Sequence, residues 1–401
     1  MSMMRNIFIP FYLLVLTILL GSCKSTPAVV PTPTNFPIHS PTVFPHETPQ
    51  TYTPTSSPPT STPTLTASPV PTISPTPSVP PSAAPTATIT LTPSALPLFT
   101  TKLIRPGVEL QSYLTDVCEY LRLRWSPEGS LPGTVVVPVM FHSIRGDGKP
   151  VGEGNTTDIT SEQFQSFVRY AKQSGFETIT TVQLNDFLRN NARIPSHSLL
   201  MIVDDRHAGT VDDFFLPILE ENDWTVTLGW IIGDTNDALC GRMERLNATG
   251  RLDVQSHGYN HRYITDQTPE DETRQEIFDP IPILEQHFGQ QPVAFIWRGG
   301  NFTTRSVQLA HEAGYQLGFT AFSRGPLMFN WIPQGAEEQA VGDPLMTIPH
   351  FWSPDLTVSL DVGIKISEAA RAEAAQRYPQ EADYYRTYCG GELLSLNPEA
   401  P

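Results

Sequence analysis

Between residues 135 and 350 the chain repeats one pattern: a short apolar run rich in β-branched residues, then a polar cluster, then a stretch with apolar positions every three or four residues. The runs are 135–141, 199–203, 224–232, 252–255, 293–297, 316–322 and 345–348. Runs this short predict buried strands, and their alternation with helical spacing predicts an α/β fold with a largely parallel sheet. A helix is expected to begin at Ile159-Thr160-Ser161-Glu162, with Phe164, Phe167, Val168 and Ala171 on one face and Gly175 as its stop. Further helices are expected over 214–221, over 269–288 with a kink at Pro280 and Pro282, over 306–313 closed by Gly314, and over the Ala-rich stretch 366–377.

The pattern is missing before residue 99. Residues 24–98 are dominated by Pro, Thr and Ser and show no apolar periodicity. Such a segment cannot bury enough surface to fold, so a disordered, semi-rigid linker is expected there. Residues 1–23 read as a secretory signal: Arg5 is the positive start, 7–20 the apolar stretch, and Leu20-Gly-Ser-Cys23 its end. That ending resembles a bacterial lipobox, which implies lipidation at Cys23, a lipid anchor in the membrane, and a protein secreted to the outer face of the bacterial envelope. Residues 99–401 are then one folded domain with its core at about 135–352.

Charge narrows the partners. With 25 basic and 41 acidic residues the formal net charge is −16, which argues against nucleic acid as a partner. Nothing in the sequence calls for a second subunit, and a monomer is expected. Beyond Cys23 the chain has Cys118, Cys240 and Cys389; an oxidising compartment favours one disulfide among them, and the sequence does not choose the pair.

In parallel α/β folds, chemistry collects at the carboxyl ends of the strands. The expected strands deliver His142, the pair Asp204-Asp205, His257, Arg298 and His350 to those ends. One carboxylate and two imidazoles, His257 and His261, can hold a divalent metal with positions left open for water and substrate, as a catalytic site requires. Zinc proteases also space histidines four apart, but with glutamate directly after the first; here that residue is Gly258, and with Asn260 it suits a turn. Adjacent side chains on extended backbone point apart, so one aspartate as ligand and the other as base is the economical division.

At these residues the chain resembles the polysaccharide deacetylase family, the NodB-homology or family-four carbohydrate esterases. Val137-Pro-Val-Met-Phe-His-Ser143 is similar to its opening strand, and Leu200-Met-Ile-Val-Asp-Asp-Arg206 to its T-F-D-D-G motif. Ser256-His-Gly-Tyr-Asn-His261 is similar to its S-H-S/T-x-x-H motif, and Phe295-Ile-Trp-Arg-Gly-Gly-Asn301 with Glu312-Ala-Gly-Tyr315 to its third motif and following helix. The resemblance implies a distorted (β/α) barrel, Asp204 as general base, Asp205, His257 and His261 as ligands, Arg298 orienting the base, and His350 as general acid, with His142 the second candidate.

Three departures stand out. Arg206 replaces the motif's glycine, Gly258 its hydroxyl residue, and Arg298 falls about two positions late. Arg206, Tyr259 and Trp297 join His142 as expected pocket residues. The implied activity is metal-dependent hydrolysis of N-acetyl or O-acetyl groups on a cell-wall or extracellular polysaccharide. Zinc is the expected ion, with nickel, cobalt, iron or manganese as alternatives, and an N-acetylated glycan the expected substrate. Two other readings stay open at this level: a non-catalytic carbohydrate-binding relative on a surface tether, and a deacylase of a small amide or ester.

Overall fold

The computed structural model describes residues 96–146, 148–152, 155, 157–233, 235–352 and 356–393. The expected signal segment, Cys23 and nearly all of the expected linker lie outside those residues. The main sheet has eight strands: β1 (Val135–Phe141), β2 (Glu177–Thr178), β3 (His197–Val203), β4 (Val226–Trp230), β5 (Leu252–Ser256), β6 (Ala294–Ile296), β7 (Leu317–Phe319) and β8 (Phe351–Trp352). Their order is β7-β6-β5-β4-β3-β1-β8, with β2 also paired to β3, and every pairing is parallel. The fold is α/β with a curled, half-barrel sheet.

The longest ladder joins β1 to β3 in register from Val135 opposite His197 to Phe141 opposite Val203. Alternating residues of these strands enter different cores. Val137, Val139, Phe141, Leu199, Met201 and Val203 pack with Phe164 and Phe167, while Val136, Leu200 and Ile202 pack with Ile296, Phe319 and Ile348. Both faces are therefore covered, which is why the strands read as continuous apolar runs rather than alternating ones. Phe141 meets Phe164, Phe167 and Phe215 at centroid distances of 5.7, 5.8 and 5.2 Å.

The α-helices of six or more residues among the described residues are α1 (Val117–Arg124), α2 (Ser161–Gln173), α3 (Thr181–Asn190), α4 (Leu216–Asn222), α5 (Asp237–Asn247), α6 (Glu270–Phe278), α7 (Pro280–Phe288), α8 (Thr304–Ala313), α9 (Ala336–Val341) and α10 (Leu356–Tyr384). Capping boxes start α2 at Thr160 and Gln163 and α3 at Thr180 and Gln183. The expected helix over 269–288 divides at Asp279, because Pro280 and Pro282 supply no N–H to an α-helical ladder. No helix of the described residues is long and apolar enough to cross a membrane.

The expected strand at 345–348 does not form. Asp343-Pro344 opens a turn in which Met346 N donates to Asp343 O at 3.2 Å and Thr347 Oγ1 donates to the same carbonyl at 2.8 Å. Only Ile348 pairs, with Phe319 of β7, and β8 then pairs with β1. Residues 345–352 thus run from β7 to β1, and His350 lies inside that crossing rather than at a strand's end.

The C-terminal part packs on α1 as well as on the sheet. Cys118 and Cys389 form a disulfide with Cα atoms 5.5 Å apart, closing 271 residues of chain. Beside it, buried Glu381 accepts from Trp125 Nε1 at 2.5 Å and from Arg124 Nε at 3.2 Å. Tyr384 and Tyr385 pack on the cluster of Leu121 and Trp125, whereas Tyr388 is exposed. Cys118→Ser removes this closure of the unfolded chain and should lower stability by about 2–4 kcal/mol. Denaturant unfolding of both proteins, with and without reductant, checks this: equal midpoints would mean the bridge contributes nothing.

Candidate metal centre

The centre begins where β3 ends. Asp204 N extends the ladder by donating to Phe141 O at 2.9 Å, and the backbone then turns left-handed at Asp205 (φ 58°) and Arg206 (φ 48°). This turn separates the duties of the two carboxylates. Asp204 is 5 % exposed, with Oδ1 buried and without a hydrogen bond, whereas Asp205 is more open. The motif's glycine position is thus occupied by Arg206 in a conformation that favours glycine, at a cost of about 1–2 kcal/mol.

The other arm comes from β5. His257 is 3 % exposed, and its Nδ1–H donates to Ile296 O at 2.8 Å. That bond selects the tautomer and leaves Nε2 as a bare lone pair, the arrangement usual for a metal-ligating imidazole. The chain then reverses through Gly258 (φ 88°) to His261 (φ 59°). Glu276 of α6, 1 % exposed, pins the reversal by accepting from Asn260 N at 2.9 and 3.1 Å and from Arg262 N at 3.4 Å.

Three atoms converge. His261 Nε2 lies 2.8 Å and His257 Nε2 3.3 Å from Asp205 Oδ1, and the two nitrogens are 3.1 Å apart. Oδ1 is buried, yet no N–H is aimed at it. A carboxylate oxygen facing a lone pair at this range is repulsive unless a cation lies between them, so Asp205, His257 and His261 fit a divalent metal ion. The mixed oxygen and nitrogen donors suit several first-row ions.

The electrostatics agree with that division. Burial opposes ionisation of Asp205, but positive charge placed at His257 and His261 outweighs it and holds this carboxyl far below the usual range, as a cation between them would. Burial raises Asp204, against the pull of His257 and His142. His257 is also penalised by burial, yet Asp204 and Asp205 raise it; His261 is lowered by burial.

The remaining expected residues have separate placements. His142 Nε2 is 3.5 Å from Asp205 Oδ2, and its ring lies on Trp352 at 5.9 Å and 15°. Arg206 is partly buried, and its Nε is without a hydrogen bond. Tyr259 packs on the helix-side core, and its carbonyl accepts from Gly233 N at 2.6 Å. Trp297 faces the core rather than a pocket: it is 1 % exposed and Nε1 donates to Met346 O at 2.9 Å, because the turn at 343–347 offers that carbonyl. Arg298 stacks on Tyr263 with its guanidinium carbon 4.1 Å from the ring centroid, and no bond joins it to Asp204 among the described residues. His350 is 1 % exposed with neither ring nitrogen bonded, and burial, aided by His142 and His257, pulls it down to about 3.

Sequence reasoning missed Glu276, Trp352 and His207, whose Nδ1 is 3.0 Å from Ser143 Oγ. Glu276 carries no local signal, because it sits on a helix otherwise rich in exposed charge.

Two outcomes are expected. A Cβ on Gly258 would lie 2.5 Å from Glu276 Oε2, so Gly258→Ser, which brings the chain closer to the resembled motif, should weaken metal affinity about 10- to 100-fold. Metal titration checks it, and unchanged affinity would remove Glu276 from the account. For His350, protonation favours the unfolded chain between about 6.5 and about 3, so its contribution is intact above pH 6.5 and lost as pH falls through that window. His350→Phe should flatten the melting-temperature profile there.

The polysaccharide deacetylase family model matches residues 192–318, which include both aspartates and both ligand histidines. No curated protein matches the chain. Among solved structures, the chain is similar to the Streptococcus pyogenes deacetylase PplD in complex with acetate, at 17 % identity over 57 % of this chain and 99 % of that one, TM-score 0.47. It is also similar to IcaB from Ammonifex degensii, at 17 % identity over 58 % and 99 %, TM-score 0.45. A third is BC0361, a polysaccharide deacetylase from Bacillus cereus, at 18 % identity over 56 % and 69 %, TM-score 0.44. The strands that bear the matched motifs are the ones that assemble this centre.

Proposed function

We propose that this domain is a metal-dependent hydrolase that removes N-acetyl groups, with O-acetyl groups as the alternative, from a cell-wall or extracellular glycan. The observation that carries the reading is the convergence of Asp205, His257 and His261 beside a buried second carboxylate that they leave unused. Zinc is the ion we propose. When bound, such an ion lowers the pKa of a water towards about 7 and polarises an acyl carbonyl.

The protein's own groups supply the proton movements. Asp204 Oδ1, free of other bonds and destabilised as an anion by burial, takes the proton of the attacking water. His142 returns a proton to the leaving amine. It is preferred to His350 because it is 3.5 Å from Asp205 with its side chain 16 % exposed, while the buried His350 ring is neutral through the physiological range. His257 is held by Ile296 and does not turn during the reaction.

Around this domain we further propose a lipidated Cys23, a Pro/Thr/Ser-rich tether over 24–98, and attachment to the outer face of a bacterial membrane. The apolar run 7–20 and the ending at Cys23 support that reading. The domain acts as a monomer, and its charge of −16 disfavours nucleic acid.

Acetate release from N-acetylated and O-acetylated glycans by the zinc-loaded protein tests the activity; no release from any, with stoichiometric zinc bound, would leave a glycan-binding module instead. Asp204→Asn should retain its metal and lose about 10²- to 10⁴-fold in kcat. His142→Ala should fall in the same range and more than His350→Ala, and the reverse ranking would return the acid role to His350.

A further inference from the structure

Arg298, like Arg206, has no acidic partner among the described residues. In a chain with 41 acidic and 25 basic residues, neighbouring arginines are paired: Arg262 with Glu272 at 2.7 Å, Arg274 and Arg305 with Glu270 and Glu312, Arg324 with Glu338. Arg298 meets no carboxylate among the described residues. Its flat face rests on the ring of Tyr263, which leaves the edge of the guanidinium, with its five N–H donors, unclaimed.

The pair is built into place. Tyr263 follows the ligand His261 by two residues and is 51 % exposed, one of few large apolar side chains so open. Gly299, at φ 56°, makes room for it: a Cβ there would lie 2.5 Å from Tyr263 Cε1. Arg298, Tyr263, Thr265, Thr268 and the Arg262–Glu272 pair line one shallow depression. Arg262 is matched by Glu272 and Glu276, which leaves Arg298 as the lining cation without a carboxylate.

We propose that the depression formed by Arg298 and Tyr263 is a subsite for a carboxylate-bearing sugar, next to the N-acetyl sugar whose amide meets the metal. This rests on the glycan reading above. A guanidinium edge binds a carboxylate through two parallel N–H bonds, and its seat on Tyr263 holds that edge ready. A neutral sugar in the same place gains only weak hydrogen bonds. Arg298 is therefore a specificity residue, touching the neighbouring sugar and not the base Asp204.

The test compares two oligosaccharides of equal length on the zinc-loaded full chain: a neutral N-acetylglucosamine oligomer, and an N-acetylated oligomer whose alternate sugars carry a carboxylate. Calorimetry reads binding, and acetate release is followed in the same samples. Wild type should bind the acidic oligomer about 10- to 100-fold more tightly, with the advantage shrinking as salt rises. Arg298→Gln should abolish that difference and leave neutral-oligomer binding within about 2-fold, Arg298→Lys should keep part of it, and Tyr263→Ala should weaken it without removing it. Equal binding of the two oligomers by wild type, or equal weakening of both in Arg298→Gln, overturns the subsite. Carboxylate-dependent binding with no acetate release from either oligomer would sink the deacetylase reading alone. Acetate release without discrimination would sink the subsite alone.

Discussion

The centre depends on one electrostatic constraint: three electron-pair donors, on Asp205, His257 and His261, held within 3.3 Å of one another. Without a cation such a cluster pushes itself apart. Three separate devices oppose that: the Ile296 carbonyl fixes the His257 ring, the left-handed turn aims Asp205, and Glu276 holds the backbone that carries His261. Each uses a group from a different strand or helix, so the parallel sheet is what makes them meet. The strain stored there becomes affinity, because an ion that binds only the folded chain stabilises it in proportion.

Most of the strand framework was legible from residue patterns, and the reason is burial. β1 and β3 are covered on both faces, so their apolar runs are continuous and their ends abrupt, and His142 and Asp204 follow directly. The metal ligands were legible because their chemistry is scarce: few residues besides Asp and His bind such ions. The crossing at 345–352 was not legible, since Leu345, Met346 and Ile348 are apolar for packing while the Asp343-Pro344 turn dictates the backbone. Trp297 misled for a related reason, as an indole beside a site and an indole in a core read alike. Glu276 was invisible because its partners are backbone N–H groups sixteen and fourteen residues earlier, which no side-chain pattern marks.

Arg206 and Gly258 exchange what the resembled motifs expect. A side chain stands where glycine would be relaxed, and glycine stands where a side chain would collide with Glu276. The second exchange has a steric cause, the carboxylate of Glu276. The first has a backbone cost and a charge in return, on the residue directly after a metal ligand.

The disulfide between Cys118 and Cys389 lies with the first described residues at one end of the strands: Phe99 packs with Val135, where β1 begins, and its carbonyl accepts from Trp331. The metal ligands sit at the opposite end. Residue 96 therefore enters the domain at the end of the strands opposite the metal ligands, so the chain's entry and the centre occupy different faces and do not compete for space.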